Sequence, residues 1–234
     1  MLSVEGLNSG YGKLHVLYDV SLECGRKEIV SVIGPNGAGK TTLLNSIFGI
    51  ADIYSGRVKL DGEEISGLPP HSIARKGVAY VLQMINIFSE LSVEENLRIS
   101  MTFSKTGEDV LDYVYELFPI LKERRKQRAG TLSGGERQML AISIGLVRSP
   151  KLLLLDEPTA GLMPLYVNLI MKKIGEIRDQ RDLSIILVEQ NVQKALEVAD
   201  KVYVLVSGQV VFKGLPSELV SEREIMRLYL GVGD

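Results

Sequence analysis

The chain has 234 residues, with 27 Lys and Arg against 29 Asp and Glu and 45% hydrophobic side chains. This balance describes an ordinary globular protein and disfavours a general phosphate-backbone-binding surface, so no nucleic-acid partner is expected. One cysteine, Cys24, and two histidines, His15 and His71, exclude a disulfide framework and a four-ligand zinc site of thiolates and imidazoles, and fit a reducing compartment. The first residues lack a basic, apolar leader pattern and no apolar run approaches the roughly 18 residues of a membrane span, so the chain is expected not to cross a bilayer by itself.

In chain order, Leu2 to Glu5 and Val20 to Glu23 alternate apolar and polar residues, which predicts antiparallel strands with one wet face. Ile29 to Ile33 is instead a short continuous apolar run, as are Val78 to Leu82, Leu152 to Leu155, Ile185 to Val188 and Val202 to Val206. Such runs suit parallel strands covered by helices on both sides. Arg57 to Leu60 alternates again and ends in the turn signal Asp61-Gly62. From about 89 to 150 the strand signal gives way to Val110, Leu111, Val114, Leu117, Phe118 and Leu121 at helical spacing, a helical insert. Lys122, Arg124, Arg125, Lys126 and Arg128 near its end read as a solvated face, because the overall charge is near neutral. The fold class is α/β: a mainly parallel sheet, an antiparallel β part and a helical insert.

Three stretches carry chemistry. Gly34-Pro35-Asn36-Gly37-Ala38-Gly39-Lys40-Thr41-Thr42 follows a buried strand and precedes a helical pattern, the context a P-loop requires. Its glycines let backbone N–H groups curl around phosphate oxygens, Lys40 reaches the β and γ phosphates, and the Thr41 hydroxyl can ligate magnesium. Asp156 and Glu157 end the buried run Leu152 to Leu155. At such a strand tip Asp156 would hold magnesium, and Glu157 could polarise the water that attacks the γ phosphate. Leu132-Ser133-Gly134-Gly135-Glu136-Arg137-Gln138 opens a helix; it reads both as a second anion site and as a capping box of Ser133 with Glu136, and both can hold together.

With these motifs the sequence resembles the ATP-binding-cassette ATPases along essentially its whole length, and Leu132 to Gln138 is the most specific element. The resemblance implies a single domain over 1–234 on a P-loop NTPase, RecA-like core. About 1–88 and 151–234 would form the catalytic core with its antiparallel β subdomain, and about 89–150 a helical subdomain. It implies ATP and Mg2+ as ligands, with Tyr11 stacking on adenine and Gln83 touching magnesium and sensing the membrane subunit. Ser133, Gly134 and Gly135 would contact the γ phosphate on a second cassette, so that two chains sandwich two ATP molecules. Partners would be that second ATPase subunit, transmembrane permease subunits and, indirectly, an extracytoplasmic solute-binding protein. The location implied is cytoplasmic, peripheral on the inner face of the cell membrane.

Two departures narrow the family. Gln190 stands where many cassettes place a switch histidine; its amide can donate to a phosphate oxygen but cannot shuttle a proton. The alternative is that Gln190 caps the helix beginning near Asn191. Met163 stands where an inter-subunit aspartate is common. Together with Val93 to Leu97, Tyr115 to Pro119, Gln127 to Gly130 and Tyr229-Leu230-Gly231, these features resemble the second ATPase subunit of branched-chain amino-acid importers. Leu82-Gln83 departs from the Pro-Glu pair frequent there, which leaves a urea or amide importer as the rival. A soluble cassette of DNA repair or translation is a further alternative, but the long coiled insertions typical of those proteins are missing from the sequence.

Overall fold

The computed structural model describes residues 1–83, 87–102 and 107–231, and the backbone alone over 228–230. The side chains of Tyr229 and Leu230, part of the subgroup pattern, lie outside the described ones.

The continuous apolar runs form a six-stranded sheet in the order β10-β9-β3-β8-β7-β6. Its strands are β3 (Ile29–Ile33), β6 (Val78–Val81), β7 (Leu152–Asp156), β8 (Ser184–Glu189), β9 (Lys201–Val206) and β10 (Gln209–Gly214). All neighbours are parallel except β10, which returns antiparallel to β9. Burial on both faces explains why the runs do not alternate. Leu153, Leu155, Ile185 and Leu187 join one apolar cluster, while Leu152, Leu154, Ile186 and Val188 join the other.

The alternating segments form a second, four-stranded antiparallel sheet in the order β2-β1-β4-β5: β1 (Leu2–Tyr11), β2 (Leu14–Cys24), β4 (Asp52–Leu60) and β5 (Glu63–Glu64). Leu2, Val4, Val20, Leu22, Val58 and Leu60 face the core, and Ser21 and Glu23 face solvent. This sheet, α1 (Lys40–Ile47) and α2 (Pro70–Arg75) cover one face of the central sheet. The other face is covered by α6 (Gly134–Leu146) and α7 (Pro164–Gln180).

The insert contains α3 (Val93–Met101), α4 (Glu108–Leu117), α5 (Pro119–Glu123) and α6. The single period expected from Val110 to Leu121 is broken at Phe118, because Pro119 lacks an N–H donor and disfavours the helical conformation of the residue before it. Lys122, Arg125, Lys126 and Arg128 are exposed and Arg124 is half-buried, in keeping with a solvated basic face. Strand β10 and the helices α8 (Val192–Val198), α9 (Pro216–Ser221) and α10 (Arg223–Leu230) were not marked in the sequence by any continuous apolar run.

Candidate functional site

Strands β3, β8, β7 and β6 are adjacent, so their C-terminal ends bring together residues far apart in sequence. Ile33 pairs with Glu189 and Asp156 with Val188. Ligands of open parallel sheets gather at this edge.

The loop after β3 turns into α1 through Gly39, which adopts φ 102° and caps the helix with no side chain. A Cβ there would lie 2.7 Å from Leu17 Cδ2. The first turn of α1 carries no acidic residue, so its free N–H groups and positive dipole end are available to an anion. Lys40 folds back over the loop, donating to the carbonyls of Gly34 at 2.9 Å and Pro35 at 3.0 Å. Its ammonium lies 3.8 Å from Glu157 Oε1. Burial lowers the Lys40 pKa, and the neighbouring carboxylates of Glu157 and Asp156 oppose that shift.

Asp156 is 1% exposed. Its Oδ1 accepts from the Thr41 hydroxyl at 3.2 Å and its Oδ2 from Tyr80 at 3.2 Å. Burial raises its pKa, and these two hydrogen bonds pull it back. Glu157 takes a left-handed backbone conformation, φ 47°, uncommon for a residue with a Cβ. Its N–H donates to Val188 O at 2.9 Å, and two amides grip its carboxylate. Gln83 Nε2 donates to Oε2 at 2.8 Å, and Gln190 Nε2 donates to both oxygens at 2.8 Å. Asn191, not Gln190, caps α8, accepting from the Lys194 N–H at 3.1 Å; the capping alternative for Gln190 is therefore set aside.

Tyr11, Asn36, Gly37, Gly39, Lys40, Thr41, Thr42, Gln83, Glu157 and Gln190 line one open cleft of about 530 Å³. Asp156 sits behind it. Gly34, Pro35 and Ala38 shape the loop through their backbone, with the Ala38 N–H donating to Pro35 O at 3.2 Å. The sequence reading missed Leu14 and Val16, which extend the apolar wall beside Tyr11. It also missed Glu189, 2% exposed, which accepts from the N–H and hydroxyl of Thr159 at 3.1 and 2.7 Å. Its place at the end of an apolar strand, like that of Asp156, was the available signal.

Ser133, Gly134 and Gly135 do not line this cleft. Ser133 is exposed at the start of α6. The capping box expected there forms: Ser133 Oγ accepts from the Glu136 N–H at 3.4 Å and Glu136 Oε2 from the Ser133 N–H at 2.8 Å. A Cβ on Gly135 would lie 2.4 Å from the Tyr166 ring, so only glycine lets α6 and α7 approach this closely.

A family profile described as "ABC transporter" matches residues 17–160, which span the loop before α1, the capping box of α6 and the Asp156-Glu157 pair. The chain belongs to the ABC transporter family. It is an ATP-binding ATPase subunit of that family. It is 48% identical to the "Probable branched-chain amino acid transport ATP-binding protein LivF" of Archaeoglobus fulgidus, over 100% of both chains. It is also 46% identical to the "High-affinity branched-chain amino acid transport ATP-binding protein BraG" of Pseudomonas aeruginosa, over 99% of this chain and 100% of that one. Among solved structures it is similar to cbiO1 of Clostridium perfringens, part of the ABC transporter complex cbiONQ. The TM-score is 0.85 at 31% identity, covering 97% of this chain and 92% of that one.

Proposed function

We propose that this ATPase subunit powers uptake of branched-chain or other hydrophobic amino acids through separate membrane subunits, and that the cleft at the ends of β3, β6, β7 and β8 is its ATP site. The observation that carries the site assignment is the Glu157 carboxylate, 3.8 Å from Lys40 and gripped by Gln83 and Gln190, at the mouth of a loop opening α1. Full-length identity near one half to two branched-chain amino-acid transport proteins supports the solute.

The geometry supports a division of labour. Adenine stacks on Tyr11 against the apolar wall of Leu14 and Val16, a contact worth roughly 1–3 kcal/mol. The loop N–H groups and Lys40 hold the phosphates; to do so Lys40 exchanges the carbonyls of Gly34 and Pro35 for phosphate oxygens. Glu157 orients and polarises the attacking water, and Gln190 redirects its amide hydrogen bond from Glu157 to the γ phosphate without giving up the proton. Thr41 Oγ1 and Asp156 Oδ1, 3.2 Å apart, are hard oxygen donors that fit Mg2+, with Gln83 beside them. When bound, the cation neutralises charge developing on the phosphates. Among the described residues no group of three or more His, Cys, Asp or Glu is arranged to hold a metal ion; phosphate oxygens and water would complete the shell.

The two lobes, about 1–88 with 151–234 and about 89–150, are proposed as catalytic core and helical subdomain. Partners are a second cassette, which presents Ser133, Gly134 and Gly135, transmembrane permease subunits and, indirectly, an extracytoplasmic solute-binding protein; the chain itself is cytoplasmic, peripheral on the inner face of the cell membrane. Among the described residues no helix is long and apolar enough to cross a membrane.

The test separates cradle from base. Lys40→Ala should lose most ATP affinity, whereas Glu157→Gln should bind ATP and turn over roughly 10²–10⁴-fold more slowly. Equilibrium binding and phosphate release measure both, and near-normal turnover in Glu157→Gln removes the role given to that residue. Uptake of labelled leucine against urea in vesicles carrying the assembled transporter decides the solute.

A further inference from the structure

Tyr80 and Asn45 have no role of their own in holding phosphate, yet they join the two ends of the cleft. Asn45 Nδ2 donates to Tyr11 Oη at 2.7 Å, Tyr80 Oη donates to Asn45 Oδ1 at 3.1 Å, and the same hydroxyl donates to Asp156 Oδ2 at 3.2 Å. Four separate elements, β1, α1, β6 and β7, supply the four residues that these three bonds join. The Tyr80 ring is fixed edge-on against Phe48, with centroids 5.5 Å apart.

We propose that Tyr80 and Asn45 are positioning residues that couple base stacking on Tyr11 to metal binding at Asp156. This inference rests on the proposed roles of Tyr11 and Asp156. At the metal end, the Tyr80 hydroxyl holds Oδ2, so rotation of the carboxylate is restricted and Oδ1 stays beside Thr41, where the two oxygens would hold the cation. At the base end, Asn45 holds the hydroxyl of Tyr11, a residue that is 41% exposed. Tyr80 has one proton for two acceptors, Asn45 Oδ1 and Asp156 Oδ2. Turning the Asn45 amide over gives a head-to-tail chain in which Tyr11 donates to Asn45, Asn45 to Tyr80 and Tyr80 wholly to Asp156. Both orientations keep the links, but the second strengthens the bond on the carboxylate. A stacked base that orients the Tyr11 hydroxyl toward Asn45 therefore favours the metal-ready carboxylate.

Tyr80→Phe keeps the ring and its packing on Phe48 and removes both bonds. Mn2+ affinity is measured by electron paramagnetic resonance on wild type, Tyr80→Phe, Tyr11→Phe and the double variant, with a non-hydrolysable ATP analogue present. Analogue binding in EDTA is measured alongside. Tyr80→Phe should weaken Mn2+ roughly 3- to 10-fold, the range of one or two hydrogen bonds, and leave metal-free analogue affinity within about twofold. Tyr11→Phe should weaken Mn2+ by a smaller factor, and the double variant no more than Tyr80→Phe, since a broken chain has nothing left to transmit. Unchanged Mn2+ affinity in Tyr80→Phe, additive effects, or an equal loss of metal-free binding would each overturn the coupling. A wild-type chain that binds the analogue but no Mn2+ would overturn the magnesium assignment itself, and the coupling with it.

Discussion

Gln190 is the residue at which chemistry is most informative, because its amide lies 2.8 Å from both oxygens of Glu157. It donates to that carboxylate, and with ATP bound the same amide would turn its hydrogen bond to the γ phosphate. Gln190→His should preserve hydrolysis, since imidazole also donates one hydrogen bond. Gln190→Ala should slow turnover about 10-fold or more, as expected for a lost charge-assisted bond. Turnover in the assembled transporter measures both, and equal rates for alanine and wild type would sink the role. Lys40 carries a second expectation at this scale. Its folded-state pKa lies below its unfolded value of 10.5 because of burial, so the folded chain binds fewer protons in the window between the two. Stability therefore rises as pH climbs through that window, and at neutral pH the unfavourable burial of the cation is fully present. Lys40→Met should raise the melting midpoint of the nucleotide-free chain by about 2–4 °C, the shift of ~1 kcal/mol, while abolishing stabilisation by ATP. A lower midpoint at pH 7.5 would mean that the bonds to Gly34 and Pro35 outweigh the burial.

At the scale of elements, the loop before α1 is braced by the turn between β9 and β10. Gly208, with φ 78°, donates its N–H to Ala38 O at 2.9 Å and accepts from the Tyr18 N–H at 2.8 Å. A Cβ there would lie 1.9 Å from Val16 O, so Gly208→Ala forces backbone to move on both sides. It should destabilise the chain by about 1–3 kcal/mol and weaken ATP binding although it contacts no nucleotide. Thermal melts and equilibrium ATP binding check the two effects together, and a stable variant with normal affinity would remove the bracing role. This brace also shows what the sequence could not convey. The loop, Asp156 and Glu157 were legible because they follow continuous apolar runs, a local pattern, whereas Gln190 was marked only by the family resemblance. Val16, Tyr80 and Asn45 were not legible, since their functional neighbours come from strands distant in sequence and no local period marks them. Strand β10, where exposed and half-buried residues alternate, lacks the apolar run that betrays a central strand. Likewise the break at Phe118 depends on Pro119, a chain-geometry effect that hydrophobic spacing alone passes over.

At the scale of the whole molecule, the cleft of one chain is open and lacks the Ser133, Gly134 and Gly135 segment, which instead stands at the exposed start of α6. Its capping box uses the Ser133 and Glu136 N–H groups, leaving the first N–H groups of α6 and the Ser133 hydroxyl proton for an anion brought from outside. The γ phosphate of ATP held by a second cassette has the charge to be that anion, and in the sandwich proposed above ATP itself would join Lys40 of one chain to Ser133 of the other. The nucleotide-free chain should then sediment as a monomer, and Glu157→Gln with ATP as a species of doubled mass, because blocked hydrolysis keeps the joining phosphate in place. If the natural pair is a heterodimer, the doubled mass appears when a related cassette is added. Adding Ser133→Glu should weaken association at least about 10-fold, since a carboxylate would face the phosphate. Mass unchanged by ATP at high concentration, with the related cassette also present, would count against a site shared between chains; a Ser133→Glu chain that still dimerises would show that the contact lies elsewhere.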